Sequence, residues 1–579
     1  MHFRALVLLA LLAASLGNLV GIDWGHETLK VALIKPGKMT QIVTNVESKR
    51  KTPNYVAFYG EERLFGGHAD AKRGSKPQYV VPEPNRLLGR PFAHPFSGEY
   101  ANGSYYMTGT AANERGGVDV VLPKGALVPA GGPPQFSAEE VSAQMLIHAR
   151  EFSEAFAEQG KVNQGVLTVP MYYTQAERAA LLEVAGLAGI SVMALVEENT
   201  AAGVHYGIDR VSANGTHYML LYNMGAASTQ VTLFAYDSYN STDKLSRKNV
   251  TVGQGRVLAK AYDLELSGRA LDGLLVDFVA EAFNKDPKVS KKLDASAKGD
   301  LRNVPLAMVK VAKAVVKAKE VLSANDAFPV NLEGVLPDVD YKVALSRKIL
   351  DEAASALWPR VTGIVDRVLK AAALTPADVN AVELVGGGVR VPKIQALLKD
   401  FFAPKTKEGK AAAAKAEAAS KAGGGGGSDT ATGVGATVVG THMNGDESFA
   451  LGAVFMAANR STSLKVRKVG MVDANTFAVG LRLAHAPSSS AAPAAAGGGG
   501  MARQHPSPGP SAAPTSLGCT TAVRTTRSES PSTPPVTSRL RCTMKTPRTP
   551  WRPRCRPAPA TSWGATPSPA LRSSWQTPA

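Results

Sequence analysis

Residues 18–37, NLVGIDWGHETLKVALIKPG, set two strand-like runs on either side of a short polar bend. Leu19, Val20 and Ile22 precede the bend, and Leu29, Val31 and Leu33 alternate after it, the period-two signature of a half-buried strand. Asp23, Gly25, His26 and Glu27 stand at the bend itself. Gly25 has no Cβ, so the backbone can turn there and approach a ligand closely. A carboxylate at such a bend can hold a metal-bound water, while neighbouring backbone N–H groups can face a phosphate. A solvated hairpin tip would share these features, so the reading depends on what the rest of the chain adds.

Two further bends of the same kind follow. HYMLLYNMGAASTQVTLFAY, residues 217–236, again reads strand, bend, strand, with Gly225, Ala226 and Ala227 at the turn. VELVGGGVRVPKIQALLKDFF, residues 382–402, reads as a buried strand over 382–385, a glycine loop at 386–388 and a helix from Pro392. Between these, QGVLTVPMYY (164–173) is a strand ending at a proline. Thr174 with Glu177 forms a capping box for the helix after it, and Ser137 with Glu140 another, whose helix shows Val141, Met145, Phe152 and Phe156 on one face. SVMALVEEN (191–199) reads as a strand, with a helix beginning at TAAGVHYG (200–207), and Pro376 marks a further helix start. Such alternation predicts an α/β architecture with layered sheets.

Composition narrows the function. The 579 residues suggest roughly two to four domains, and 44% hydrophobic residues supply a sizeable core built on Ala, Val and Leu, since aromatics are only 6%. The net charge of +17 is concentrated in residues 501–579, where eleven Arg and Lys stand against Glu529 alone, so no nucleic-acid-binding body is indicated. Cys519, Cys542 and Cys555 lie in the same stretch, which leaves the body without a Cys nucleophile, disulfide or Cys zinc site. MHFRALVLLALLAASLG, residues 1–17, has the basic, apolar and small-residue regions of a secretory signal peptide, and its apolar run is too short to span a bilayer. Asn102, Asn214, Asn240, Asn249 and Asn459 open glycosylation sequons. Residues 405–440 read as a flexible Ala/Lys/Gly insertion. Residues 486–579 read as a disordered tail, foreign in composition to the body, with a basic interaction tail as the alternative.

The chain has no GxxxxGK[ST] loop, no GxGxxG after a strand, no GxSxG elbow and no HExxH helix. What remains, two similar hairpins and a glycine loop at a helix start, suits a polyphosphate clasped from several sides.

Five segments in order, VGIDWGHE, SKRKTPNYVAFYGEERLFGGHA, LTVPMYYTQAERAALLEVAGLAGISVMALVEENTAAGVHYG, VELVGGGVRVPKIQALLKDFF and MNGDESFALGAVFMAA, resemble the ATPase domain of the 70-kDa heat-shock chaperone family, which shares its fold with actin and sugar kinases. The resemblance spans residues 18–470. It implies an α/β, actin-like ATPase fold of two lobes around a nucleotide cleft, made of residues 18–404 and 441–470, with 471–485 as the remnant of a peptide-binding β-domain. Glu27 followed by TLKVALIKPG, Asn199 in EENTAA where ordinary members carry proline, KEVLSAND and SLKVRKVGMVD are similar to the endoplasmic-reticulum hypoxia up-regulated, or 170-kDa glucose-regulated, branch.

The resemblance also implies roles. Asp23 falls at the aspartate that organises magnesium-bound water around ATP or ADP, and Glu198 at the carboxylate that positions the attacking water. Gly25, His26 and Glu27 fall on the first phosphate loop, and Gly225, Ala226 and Ala227 on the second. Gly386, Gly387 and Arg390 fall on the third, Lys319 and Ser323 at contacts to adenosine, and Asp446 on the adenosine side. Three departures stand out. Asp70 replaces a lysine that would stabilise charge near the γ-phosphate. Asn223 replaces an aspartate that helps hold the metal-water shell. Glu320 replaces an adenine-stacking arginine. The implied protein binds nucleotide but hydrolyses it weakly. It acts in the lumen of the endoplasmic reticulum as exchange factor and holdase for the lumenal 70-kDa chaperone. Unfolded polypeptides are partners if a peptide-binding domain exists, and neither nucleic acid nor membrane is. A hydrolysing chaperone with its own peptide cycle, or a sugar kinase of the same fold, are the alternatives.

Overall fold

A computed structural model describes residues 18–477 except 36, 103–107, 127, 129–133, 159, 209–214, 243–248, 294, 404–437, 462, 463, 465, 467 and 468. The expected signal peptide, the tail from 486 and most of the expected insertion therefore lie outside the described residues.

Two six-stranded sheets carry the molecule. In the first, the strands run in the order Ser191–Glu197, Gln164–Val169, Leu19–Trp24, Thr28–Ile34, Gln41–Ile42, with Thr52–Pro53 also pairing to Thr28–Ile34. In the second, the order is Val438–Gly440, Ala381–Val385, His217–Met224, Thr229–Thr242, Asn249–Asp263, Val469–Val472. Each is built around a hairpin, Leu19–Trp24 with Thr28–Ile34 and His217–Met224 with Thr229–Thr242. A third antiparallel strand extends the hairpin on one side, and two parallel strands extend it on the other. One frame has been built twice, which is why the two hairpins look alike in sequence.

Local chemistry sets the connecting helices. Both capping boxes form: Ser137 accepts from the Glu140 N–H while Glu140 accepts from the Ser137 N–H, and Thr174 and Glu177 do the same. On the helix Ala138–Ala157, Val141, Met145 and Phe152 are buried and Phe156 packs against the same core. The helix Trp358–Ala371 buries Val361, Ile364, Val365, Val368 and Leu369, the stripe expected at a period of 3.6. Each sheet thus has its own apolar core, one around Val20, Ile22, Leu29 and Val31, the other around Leu220, Tyr222, Val231 and Leu233. We refer to these as the first and second lobes.

The helix Ser448–Arg460 returns to the first lobe and packs Ala450, Ala453, Val454 and Ala457 against Leu19 and Ala32. Two glycines allow it to come so near. A Cβ on Gly21 would lie 2.2 Å from the backbone nitrogen of Val454, and one on Gly452 would lie 1.8 Å from the carbonyl oxygen of Ala201. A side chain at Gly21 would push the helix off the strand Leu19–Trp24, and one at Gly452 would push it off the helix Glu198–Gly207.

Several boundaries differ from expectation. The helix after Ser191–Glu197 begins at Glu198, so that Glu198 is its first residue rather than the end of the strand. Pro376 opens only a single 3-10 turn, Pro376–Asp378. Val438–Gly440 forms the edge of the second sheet, inside the span read as insertion. Val469–Val472 pairs in parallel with Asn249–Asp263, so a boundary drawn at 471 runs through this strand. Elements of three or four residues are too short to show a period. No helix among the described residues is long and apolar enough to cross a membrane.

Candidate functional site: a cleft closed by three bends

The first hairpin places Asp23 opposite Lys30 and Trp24 opposite Leu29, leaving residues 25–27 to close it. Buried amides hold this bend. Asn54 Nδ2 donates to the carbonyl of His26 at 2.9 Å, and Asn85 Nδ2 donates to those of Trp24 and Gly25 at 3.3 Å. Burial pushes the His26 imidazole down to about 4, so it is neutral at physiological pH. Enclosure raises the Glu27 carboxyl, against the pull of Lys319.

The second hairpin repeats the pattern, with Asn223 opposite Gln230 and Met224 opposite Thr229. Its bend, residues 225–228, is closed by the Gly225 N–H donating to the Ser228 carbonyl at 2.9 Å. The carbonyls of Gly225 and Ala226 then accept from Gly268 N and Arg269 N, both at 2.9 Å, which seats the start of the helix Gly268–Lys285 on the bend. The third bend packs on the second. Gly386 holds a φ of +86°, and a Cβ there would fall 2.4 Å from the carbonyl oxygen of Met224. Only glycine meets both conditions.

These bends share one hollow. A cavity of about 370 Å³ is lined by Glu27 from the first bend, Gly225 and Ala226 from the second, and Gly387, Gly388 and Arg390 from the third. Gly268 and one face of the helix Pro305–Leu322, bearing Lys319 and Glu320, complete the wall with Ser323. Lys319 Nζ donates to the Gly268 carbonyl at 3.0 Å and to Asp272 Oδ2 at 2.7 Å, while Ser323 Oγ donates to the Glu320 carbonyl at 2.6 Å. Arg390 reaches Asp446 Oδ2 at 2.5 Å, and Lys51 reaches the same oxygen at 2.6 Å. Burial works against the Asp446 charge, but these two cations hold its carboxyl below the ordinary aspartate value. Ala227 completes the second bend without being part of the cavity wall.

The two expected catalytic carboxylates lie behind the bends. Asp23 is 2% exposed, and both its oxygens are engaged: Oδ2 accepts from Lys30 Nζ at 2.9 Å and Oδ1 from Thr168 Oγ1 at 3.1 Å. Glu198 Oε2 accepts from Gln230 Nε2 at 2.7 Å and from Asn223 Nδ2 at 3.3 Å. Burial, followed by repulsion from Asp23, pushes the Glu198 carboxyl up to about 7. Asn199, at the proline position, donates to the Gln230 carbonyl and to Thr232 Oγ1 and accepts from Asn223, tying the helix to the second hairpin. Asp70 does not present a bare charge. It pairs with Arg73 at 3.1 Å and with Lys313 of the opposite lobe at 3.3 Å.

The donor set fits a phosphate chain, with two glycine bends that let backbone N–H groups come close. It fits a divalent cation less well. Among the described residues no group of three His, Cys, Asp or Glu is placed to hold a metal, Asp23 is already paired, and its counterpart Asn223 is neutral. Sequence reading missed Lys30, Gln230 and Thr168. The first two were within reach, because Lys30 follows Asp23 by seven residues as Gln230 follows Asn223, and a hairpin with so short a bend sets such residues opposite one another.

The chain matches the family described as Hsp70 protein over residues 19–420. It is 32% identical over 462 residues to heat shock 70 kDa protein 17 of Arabidopsis thaliana, covering 79% of this chain and 47% of that one. It is 31% identical over 466 residues to hypoxia up-regulated protein 1 of Gallus gallus, covering 79% and 41%, and 31% identical over 481 residues to that of Xenopus tropicalis, covering 82% and 66%. The chain thus spans about half the length of the first curated relatives it matches. The family match takes in all three bends and more than half of the residues, on the two-lobed, actin-like ATPase fold expected from sequence: this chain belongs to the Hsp70 protein family.

Proposed function

We propose that the cleft binds adenine nucleotide and that nucleotide sets the closure of the two lobes rather than being turned over quickly. The observation that supports this most directly is the meeting of the three bends around one cavity of about 370 Å³. In this reading Gly25, His26 and Glu27, Gly225 to Ala227, and Gly386 and Gly387 face the phosphates. Lys319, Ser323 and Glu320 face the nucleoside, with Arg390 and Asp446 alongside. Glu198 is the candidate base. Its carboxyl is raised to about 7, but Oε2 already accepts from two amide donors, so taking a proton from water means giving up one of these hydrogen bonds. Hydrolysis is correspondingly slow, and the ligand acts by its preference for the closed arrangement.

The wider role follows the branch resemblance. We infer a chaperone-related protein of the endoplasmic-reticulum lumen, in keeping with the leader-like residues 1–17. It would open the lumenal 70-kDa chaperone for nucleotide exchange and hold unfolded polypeptides where a peptide-binding domain accompanies it. Calorimetric titration of the full chain with ATP and ADP tests the first step: saturable binding is expected, and its absence overturns the proposal. Release of labelled ADP from the lumenal chaperone tests the second. Acceleration is expected, and no acceleration by a nucleotide-competent chain overturns the exchange role. Phosphate release well above a slow trickle would favour a hydrolysing chaperone instead.

A further inference from the structure

We propose that Lys30 is the protein's own cation at the phosphate end of the cleft, placed so that a polyphosphate binds there with little need of magnesium. The inference rests on the nucleotide-binding reading above.

The ammonium is held from below by Asp23 at 2.9 Å, in a pair whose side chains are 11% and 3% exposed. This is the one hydrogen bond Lys30 makes among the described residues, so two of its three N–H donors have no protein acceptor. A buried ammonium with idle donors is costly unless another acceptor arrives. The direction in which one can arrive is set by Gly25. A Cβ added there would lie 3.7 Å from Lys30 Nζ, so the ammonium sits beside Gly25, which carries no side chain to cover it.

The other cations at the cleft have more partners or more solvent. Lys319 gives two donors to Asp272 and the Gly268 carbonyl, and Arg390 and Lys51, which share Asp446, have side chains 55% and 42% exposed, so water meets their remaining donors. The position from which a lysine was expected holds Asp70, itself paired with Arg73 and Lys313. In the second hairpin the residue equivalent to Lys30 is Gln230, whose side chain donates to Glu198 and accepts from the Met171 N–H, so it brings no charge. A phosphate chain entering among Asp23, Glu27, Glu198 and Asp446 therefore meets in Lys30 an enclosed cation whose spare donors water does not readily satisfy. An ammonium forms strong charge-assisted bonds to phosphate oxygens, and the same positive charge beside Asp23 repels a divalent ion from that carboxylate.

The test is ATP titration of the full chain in excess EDTA and again in magnesium. The expected result for the unaltered chain is affinities within about threefold of each other. Lys30→Met is expected to bind about tenfold or more weakly in EDTA and to recover with magnesium, which gains access to the freed Asp23. Lys30→Arg should keep metal-free binding. Because methionine leaves Asp23 buried without a partner, Lys30→Met with Asp23→Asn serves as the second variant; it removes both charges and should lose metal-free binding and the magnesium rescue together. Binding by the unaltered chain only with magnesium, or metal-free binding by the double variant as tight as the original, overturns the inference and leaves the nucleotide reading standing. Absence of binding under both conditions overturns both.

Discussion

Glu83 of the first lobe and Arg269 of the second form an ion pair between the lobes, with the Arg269 guanidinium donating to both carboxylate oxygens. Arg269 is also the residue whose N–H donates to the carbonyl of Ala226 in the second bend. The pair therefore joins lobe closure directly to a wall of the cleft. Asp70 with Lys313 is a second such crossing.

Arg269→Ala is expected to speed dissociation of a fluorescent ADP analogue by about tenfold, measured by stopped flow. Arg86, 3.5 Å from the same Glu83 carboxylate, keeps that charge compensated, so the fold should survive. An unchanged off-rate would show that this crossing does not gate the cleft.

Glu198→Gln is expected to stabilise the protein in a pH-dependent way. The native carboxyl is pushed up to about 7 from 4.5, so between those values the folded state binds more protons than the unfolded one, and stability falls as pH rises through the interval. The variant escapes this loss. Its stability should match that of the parent near pH 4 and exceed it at pH 8 by on the order of 1–3 kcal/mol, read as a higher melting temperature at pH 8 only. Equal melting at both pH values would place Glu198 in a more solvated setting.

Gly386→Ala and Gly387→Ala should part company. The first forces a side chain into a left-handed φ and against the Met224 carbonyl, and should cost several kcal/mol, about the scale of other severe backbone clashes. A Cβ on Gly387 meets nothing within 4 Å. That variant should melt like the parent yet bind nucleotide more weakly, because Gly387 lines the cavity. Thermal melts paired with nucleotide titration check both.

Asn223→Asp places a second acid beside Glu198 and replaces its amide donor. It should lower stability at pH 8 by about 1–3 kcal/mol and raise the ratio of affinities with and without magnesium, since the second bend then offers a carboxylate. An unchanged ratio would mean that this bend does not face the phosphates.

The sequence made some features legible and concealed others for physical reasons. Both hairpins, the two capping boxes and the glycine loop each rest on contacts within a few residues, and local spacing reports those. The start of the helix at Glu198 was masked because its N-cap, Glu197, uses no side-chain cap, so no Ser, Thr, Asp or Asn marks the boundary. Val438–Gly440 and Val469–Val472 are strands only because a sheet edge lies beside them. Lys313, which pairs with Asp70, and Lys51 and Arg390, which pair with Asp446, come from across the cleft or from distant segments, which spacing does not encode.

The helix Ser448–Arg460, seated over Gly21, has a mechanical consequence. The chain passes from the first lobe to the second beyond Glu198, comes back to lay this helix on the first sheet, and leaves again to add Val469–Val472 to the second. Three covalent crossings behave as a door on several pins: the halves can swing open, but twisting one against the other would wrench all three at once. A fragment cut before residue 448 would lose two of those pins and strip the cover from one face of the first sheet.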